Sequence, residues 1–212
     1  MPYEIVVDLS KIPLVVLKKA RLVFDKTKWL SAVKVENDDG KIAYELDGIN
    51  NGKDEVTMTI TNDGKMVEYD VNLSDLNMTP SKVLEAVKDK WSIFKLVESH
   101  LHFLGEDIKN QKDGECLYEL FGKRGKFNVQ AQVSIDGEIL EFVNEWEIGK
   151  VPEKVTDALN KVKGDVFKAD TVSAINEKNK IIGFKFEGKG PKGLSKNFFV
   201  TSDGKRVERV EE

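Results

Sequence analysis

The sequence at residues 56–65 is Val56-Thr57-Met58-Thr59-Ile60-Thr61-Asn62-Asp63-Gly64-Lys65. Its first six positions alternate apolar and polar side chains, which is the period of a β-strand with one buried face. Asp-Gly follows, and between alternating runs this dipeptide predicts a tight hairpin of type I′, because both residue types tolerate the positive φ angles of that turn. The segment therefore predicts a strand that ends in a hairpin.

A strand pattern that ends in Asp-Gly recurs at residues 129–138 and 196–205. Two landmarks precede each copy in the same order: a proline at the start of a helical pattern, and an aromatic residue in a strand pattern. The proline precedes the turn glycine by 51, 57 and 52 residues in the three copies. The landmarks are Pro13, Tyr44 and Gly64 in the first copy, Pro80, Tyr118 and Gly137 in the second, and Pro152, Phe184 and Gly204 in the third.

These spacings predict an α+β protein of three tandem repeats, each a helix packed on a four-stranded antiparallel meander, with an extra N-terminal strand. The expected segments are a strand at residues 1–10 and repeats at residues 11–76, 77–148 and 149–212, the second with an insertion near residues 99–111. Residues 3–9 resemble the last strand of such a repeat. The chain is then either a piece of a longer array or a complete protein whose first strand caps a sheet edge.

Strand alternation also predicts which side chains face away from the helices. Short neutral side chains dominate this outward row and can hydrogen-bond to a partner at low desolvation cost. The alternative is that threonine is simply a good strand former on an exposed face. The candidate partner-binding residues are Thr57, Thr59, Thr61, Gln130, Gln132, Asn197 and Phe199.

The composition excludes several classes of protein. Of the 212 residues, 40% are hydrophobic and 33% are charged, which is typical of a folded protein. The net charge of −4 gives no overall positive field, so nucleic acid or an anionic membrane would need a local patch. No apolar run approaches the ~18 residues that span a bilayer. We therefore predict no nucleic-acid partner and no membrane span.

The third copy begins with Val151-Pro152-Glu153-Lys154-Val155 and ends with Ser202-Asp203-Gly204-Lys205-Arg206-Val207-Glu208. These motifs resemble the PepSY-like family, also called β-lactamase-inhibitor-like, and the three copies cover almost the whole chain. The resemblance implies an exported bacterial protein without catalytic residues that binds or inhibits proteins such as peptidases or β-lactamases. A periplasmic or extracellular location is therefore expected. Because residues 1–8 show no export signal, a cytoplasmic location stays open.

His100 and His102 are the candidate metal ligands. A His-x-His pair on a strand presents both rings on one side, as zinc or copper sites require, and Glu98, Glu106 and Asp107 lie nearby. The alternative is a surface or interface role, since the chain has no further histidine. We expect no cofactor and no bound metal, with this pair as the candidate exception.

Cys116 occupies the position of an isoleucine in the first and third copies, which favours a small buried hydrophobe over a nucleophile. We found no catalytic constellation and predict that the protein is not an enzyme. We predict a binding module for a protein or peptide, acting as a peptidase or hydrolase inhibitor through exposed sheet faces. The alternatives are a metal or small-molecule binding protein centred on the second copy's insertion, or a structural segment of a longer exported protein.

Overall fold

A computed structural model of the chain describes residues 3–36, 40–105, 115–162, 167–178 and 180–210. The elements that it describes are the helices α1 (Leu14–Val23), α2 (Ser81–Lys90) and α3 (Glu153–Val162), and the strands β1 (Tyr3–Val6), β2 (Thr27–Glu36), β3 (Ile42–Asn50), β4 (Asp54–Thr61), β5 (Met66–Asn72), β6 (Phe94–Leu104), β7 (Glu115–Arg124), β8 (Phe127–Ser134), β9 (Ile139–Glu145), β10 (Lys168–Glu177), β11 (Lys180–Lys189), β12 (Ser195–Thr201) and β13 (Val207–Val210). None of the described helices is long and apolar enough to cross a membrane.

Each α-helix begins directly after one of the three landmark prolines. Pro13 is the N-cap residue of α1, and its carbonyl accepts hydrogen bonds from the amides of Val16 at 3.0 Å and Leu17 at 3.2 Å. Pro152 accepts in the same way at the start of α3. Proline suits this position because its φ is fixed near the helical value and its nitrogen has no hydrogen to leave unpaired.

The Asp-Gly hairpins form, but the predicted type I′ turn is wrong. Gly64, Gly137 and Gly204 have φ angles of 88°, 83° and 73°, whereas the preceding aspartates do not have positive φ. In the first turn, the Gly64 amide donates to the Thr61 carbonyl at 2.8 Å, and the Thr61 amide donates to the Lys65 carbonyl at 2.9 Å. The loop thus has three residues, and in such loops only the last one adopts positive φ.

The predicted fold class, three tandem repeats that each pack one helix on a four-stranded antiparallel meander, is wrong. The strands form a single 13-stranded antiparallel sheet in the order of the sequence. Strand β5 pairs with β6, with Asp70 opposite His102, and β9 pairs with β10, with Glu145 opposite Ser173. The strands at the predicted boundaries between repeats are therefore hydrogen-bonded to one another. Landmark spacing locates helices and turns, but it carries no information on which backbone edges pair across a helical connection.

The chain divides into two compact units. Unit 1 comprises Met1–Ser81 and Glu98–Glu119, and unit 2 comprises Lys82–Val97 and Leu120–Glu212. In unit 1, α1 packs on one face of the sheet, and the core there consists of Ile12, Val16, Ala20, Ala32, Tyr44, Leu46, Met58 and Ile60. In unit 2, α3 packs on its part of the sheet through Val155, Ala158 and Leu159, which join a core that includes Phe184, Phe186 and Phe198.

Candidate functional site

The face of unit 1 opposite α1 is rich in carboxylates, and we call it the open face. Residues that alternate with the buried core positions must point to this side, because successive side chains of a strand point to opposite faces. Strand register places the side chains of neighbouring strands in rows: Asp47 lies opposite Thr57, Thr57 opposite Asp70, and Asp70 opposite His102. The residues of the open face that concern us are Glu4, Glu45, Asp47, Thr57, Thr59, Glu68, Asp70, Glu98, His100 and His102.

Two of the predicted partner-binding threonines hold carboxylates on this face. Thr57 Oγ1 donates to Asp47 Oδ1 at 3.0 Å, and Ser31 Oγ donates to the other oxygen of the same carboxylate at 3.0 Å. Thr59 Oγ1 donates to Glu68 Oε1 at 3.5 Å. The hydroxyls thus orient the acidic groups, and the carboxylates are the main acceptors that the face offers.

Asp70 lies between two histidines of the adjacent strand. Its Oδ1 is 2.9 Å from His100 Nδ1, and its Oδ2 is 2.8 Å from His102 Nδ1. His100 Nε2 is 2.7 Å from Glu98 Oε1, so both nitrogens of this ring contact carboxylates. The structure therefore brings together the two histidines that the sequence singled out, around a carboxylate that the sequence did not.

The three groups shift one another's protonation. Burial alone would raise the pKa of Asp70, but hydrogen bonds from His102 and His100 outweigh it and hold that pKa below its ordinary value. Burial opposes protonation of His100, yet its hydrogen bonds with Glu98 and Asp70 raise its pKa. The hydrogen bond with Asp70 is the main reason that the pKa of His102 is raised. The cluster is stabilised when the carboxylate is ionised and the imidazoles are protonated.

Three further carboxylates converge on a cleft in the open face, which we call the acidic cleft. It has a volume of about 380 Å³ and is lined by Glu4, Glu45 and Glu68, with Val35 and Val67 among its apolar wall residues. Lys41 also lines it. Burial, and then the charges of Asp47, Glu4 and Glu68, raise the pKa of Glu45. With three carboxylates against one lysine, the cleft combines a net negative charge with apolar walls.

The arrangement of the histidines does not resemble a metal centre. Within the described ranges, no group of three or more His, Cys, Asp or Glu side chains is placed to hold a metal ion. Both histidines form hydrogen bonds with Asp70, and His100 also contacts Glu98. Glu106 and Asp107, which the sequence offered as further ligands, lie outside the described residues.

Of the other predicted partner-binding residues, Thr61 also lines the acidic cleft, whereas the rest belong to unit 2. Thr61 is the last residue of β4, and its hydroxyl contacts Asp63 of the following turn and accepts from the Lys65 amide at 2.9 Å. In unit 2, Gln132 is half-buried, Asn197 is only 7% exposed, and Phe199 is half-buried against Gly183. Asn197 sits between Glu187 and Val210 of the neighbouring strands, so it offers little accessible surface.

Gln130 lines a second cleft, of about 370 Å³, that lies wholly within unit 2. Phe121 and Val143 contribute apolar surface, while Lys185 and Glu187 face each other across 2.8 Å. Because Lys123 and Lys185 balance Glu145 and Glu187 in its lining, this cleft lacks the net charge of the acidic cleft. The lining of this second cleft therefore does not favour one charge of ligand over the other.

Cys116 is half-buried, and its Sγ lies 3.9 Å from Tyr69 Oη. Tyr69 in turn stacks on Phe103 with ring centroids 5.1 Å apart. Burial, and then the neighbouring thiol, raise the pKa of the Tyr69 hydroxyl. These contacts are those of a packed side chain beside aromatic rings.

Sequence reasoning missed the carboxylates of the open face, although a signal for some of them was present. Tyr44 and Leu46 are large apolar residues two positions apart in a strand pattern, so Glu45 and Asp47 must point to the opposite face of that strand. Asp70 carried no comparable signal, because its meeting with the histidines depends on the pairing of β5 with β6. The acidic face could thus have been predicted from the sequence, but the contact of Asp70 with the histidines could not.

No protein-family model matches the chain, and no curated protein matches it in sequence. Among solved structures, a DUF2874 family protein from Bacteroides uniformis is similar at 13% identity and a TM-score of 0.43, over 62% of this chain and 88% of that one. A candidate periplasmic protein from Bacteroides eggerthii is similar at 15% identity and a TM-score of 0.42, over 62% and 88% of the two chains.

A third structure, a candidate periplasmic protein of unknown function from Bacteroides vulgatus, covers 67% of this chain and 99% of its own at 15% identity and a TM-score of 0.31. The periplasmic or extracellular location expected from the sequence agrees with the descriptions of two of these proteins. The resemblance to the PepSY-like family stays a prediction, since none of these comparisons tests it.

Proposed function

We propose that the protein is a non-enzymatic, exported binding module that docks a cationic segment of a partner protein on the open face of unit 1. The observation that carries the proposal is the convergence of Glu4, Glu45 and Glu68 on one cleft, with the pKa of Glu45 raised by burial and by its acidic neighbours. Carboxylates crowded in this way disfavour one another's ionised form. A cation brought among them relieves that repulsion.

The lining of the acidic cleft fits a lysine or arginine side chain better than a simple cation. Val35 and Val67 offer apolar contact beside the carboxylates. Lysine and arginine bury an aliphatic stem along apolar surface while the charged head reaches polar groups. A volume of about 380 Å³ is enough for one such side chain with part of its flanking backbone.

The rest of the open face favours an extended protein segment over a small molecule. Asp47 and Asp70 continue the negative charge across β3 and β5, and the hydroxyls of Thr57 and Ser31 hold the Asp47 carboxylate in place. A segment with several basic residues meets an acceptor at each strand that it crosses. Complementary charge of this kind governs the rate and specificity of protein association.

The resemblance to the PepSY-like family supports the further proposal that the partner is a hydrolase and that docking inhibits it. The carboxylates of the open face are fixed by hydroxyls and imidazoles of neighbouring side chains. This arrangement supports recognition of charge, and it is the reason that we propose a binding role instead of catalysis.

The direct test uses three fluorescent nonapeptides of matched apolar content, with net charges of about +3, 0 and −3, a range that spans attraction and repulsion by an acidic face. Fluorescence anisotropy should detect binding of the cationic peptide alone. The Glu45→Gln and Glu68→Gln double variant should weaken it by roughly tenfold, since each partly exposed pair contributes up to about 1 kcal/mol. Glu85→Gln, at an exposed position of α2, is the matched control and should change nothing. Equal binding of all three peptides, or full binding by the double variant, would contradict the proposal.

The partner itself is sought by pull-down from the medium and the periplasmic fraction of the source organism, with mass spectrometry as the readout. A true partner is captured by the wild-type chain and by the Glu85→Gln control, and is lost with the Glu45→Gln and Glu68→Gln double variant.

Binding of the partner should also weaken as the pH falls from about 8 to about 5.5, because histidines with raised pKa values become protonated over this interval. Capture that ignores both the variant and the pH counts against the open face. An activity assay on a captured hydrolase then decides whether docking inhibits it.

A further inference from the structure

We propose that the outward side of α1 is a docking surface for an anionic lipid membrane. This surface is distinct from the open face, because α1 packs on the opposite side of the unit 1 sheet. The proposal rests on exposed side chains of α1 and does not depend on the proposed function.

Helix α1 has the sequence Leu-Val-Val-Leu-Lys-Lys-Ala-Arg-Leu-Val, and only Val16 and Ala20 within it are fully buried. Four large aliphatic side chains are exposed to solvent. Leu22 is 80% exposed and Leu14 is 64% exposed, and Val15 and Val23 are exposed by 45% and 37%. At about 100° per residue, Leu14, Lys18 and Leu22 fall on one line along the side of the helix away from the core.

The charged residues of α1, and those between residue 9 and the start of the helix, are all positive. Residues 9–24 contain no aspartate or glutamate, and they include Lys11, Lys18, Lys19 and Arg21. Apolar side chains that alternate with cations along the helix form the local patch that a chain with a net charge of −4 needs if it is to bind an anionic surface. Lysine stems can lie along the apolar surface while their ammonium groups reach lipid phosphates.

The other two helices show that this surface is not the ordinary outward side of a helix in this protein. Their exposed residues are mostly polar and of mixed charge: Ser81, Lys82, Glu85, Lys88 and Asp89 on α2, and Glu153, Lys154, Asp157, Asn160, Lys161 and Val162 on α3. Among the three helices that the structure describes, α1 alone combines several exposed aliphatic side chains with a sequence free of carboxylates.

A lipid surface fits this composition better than a protein partner does. Protein interfaces concentrate their binding energy in tryptophan, tyrosine and arginine and are depleted in lysine. The exposed apolar residues of α1 are leucine and valine, and two of its three cations are lysine. A fluid membrane also needs no shaped counterpart for a convex helix, because the lipids rearrange around inserted side chains.

The test is co-sedimentation of the full chain with vesicles of equal parts phosphatidylcholine and phosphatidylglycerol, compared with vesicles of phosphatidylcholine alone. We expect binding to the anionic vesicles only, and less of it as salt is raised. Lys18→Gln with Arg21→Gln should lower the partition coefficient by about fivefold for each cation. Leu14→Ser with Leu22→Ser should lower it by roughly tenfold or more while leaving all charges in place.

The matched control is Lys161→Gln with Val162→Ser, which removes one cation and one exposed aliphatic side chain from α3 and should bind as the wild type does. All of these side chains are exposed, so unchanged thermal unfolding should confirm that each variant folds. The proposal is overturned if the wild-type chain stays in the supernatant, if neutral vesicles bind it equally, or if the α1 variants still bind. It is also overturned if light scattering detects a dimer that the leucine variant abolishes while no vesicle binding occurs, since the face would then serve self-association.

Discussion

Replacing Asp70 with asparagine should remove most of the pH dependence that the histidine cluster gives to stability. Histidine pKa values raised in the folded state contribute stability that is fully present below about 6.5, the unfolded value, and lost as the pH rises through the folded pKa. The lowered pKa of Asp70 contributes stability that is present above about 3.9 and lost as the pH falls through its folded pKa. The contribution is therefore largest between about pH 4 and pH 6.5.

The magnitude follows from two hydrogen bonds, at 2.9 Å to His100 and 2.8 Å to His102. The side chains are 18–32% exposed, so each bond lies between a buried charged hydrogen bond and a surface ion pair, and we take about 1 kcal/mol for each. At about pH 5.5, where the imidazoles are charged, Asp70→Asn should cost about 2 kcal/mol, or about 4–8 °C in Tm. As the pH rises toward about 8.5 and the imidazoles lose their protons, the cost should fall toward about 1 kcal/mol.

Thermal unfolding of wild type and variant at both pH values measures the difference, and Asp157→Asn, at an exposed position of α3, is the control. Titration by NMR gives an independent readout. The pKa of His102 should fall further than that of His100, because His100 keeps its contact with Glu98. The charges of Glu119 and Glu68 still favour protonation of His102 in the variant, so its fall will be incomplete. If both proteins lose the same stability between the two pH values, or if His102 titrates unchanged, the cluster does not couple protonation to folding.

Three other changes test the packing and the turns. Gly183→Ala would bring a methyl group against the ring of Phe199 and should cost about 1–3 kcal/mol in chemical denaturation, with a smaller cost when Phe199 is also Leu. Thr201→Val removes the 2.7 Å hydrogen bond to Asp203, so the pKa of that carboxyl, about 2, should rise toward its ordinary value in an NMR titration. Leu46→Ala, at a fully buried position, should lower the free energy of unfolding by about 2–5 kcal/mol in a urea titration.

Local chemistry made some elements predictable from the sequence. Pro13 and Pro152 mark helix starts because proline fixes φ and lacks an amide hydrogen, and the structure has a helix directly after each. The row Val56, Met58 and Ile60 was predicted to face a helix, and all three are buried. These predictions depend on residues close together in the chain, where spacing in the sequence determines spacing in the structure.

The single sheet could not be derived in the same way. Pairing of β5 with β6 joins residues that are separated by helix α2, and each strand would also satisfy its edge against other partners. The histidine cluster could not be predicted for the same reason, because it forms only where β5 pairs with β6. His100 and His102 were conspicuous as a motif, but the acceptor Asp70 was one of 37 acidic residues until strand pairing singled it out.

Segregation of charge explains how one unit can present two surfaces of opposite sign while the chain has a net charge of only −4. In unit 1, the cations Lys18 and Arg21 lie on the outward side of α1, and the carboxylates Glu45 and Glu68 lie on the far side of the sheet that α1 covers. A helix is about 10 Å across, and the Debye length at physiological salt is about 8 Å. The two surfaces are therefore screened from each other, and neither cancels the field of its counterpart.

If α1 docks on a membrane as proposed, the open face points away from the lipid, where a soluble partner can reach it. Salt should then weaken both the docking of α1 on the membrane and the docking of the partner on the open face. Lowering the pH toward about 5.5 should weaken only the docking on the open face, because His100 lies on that face and histidine titrates in this interval.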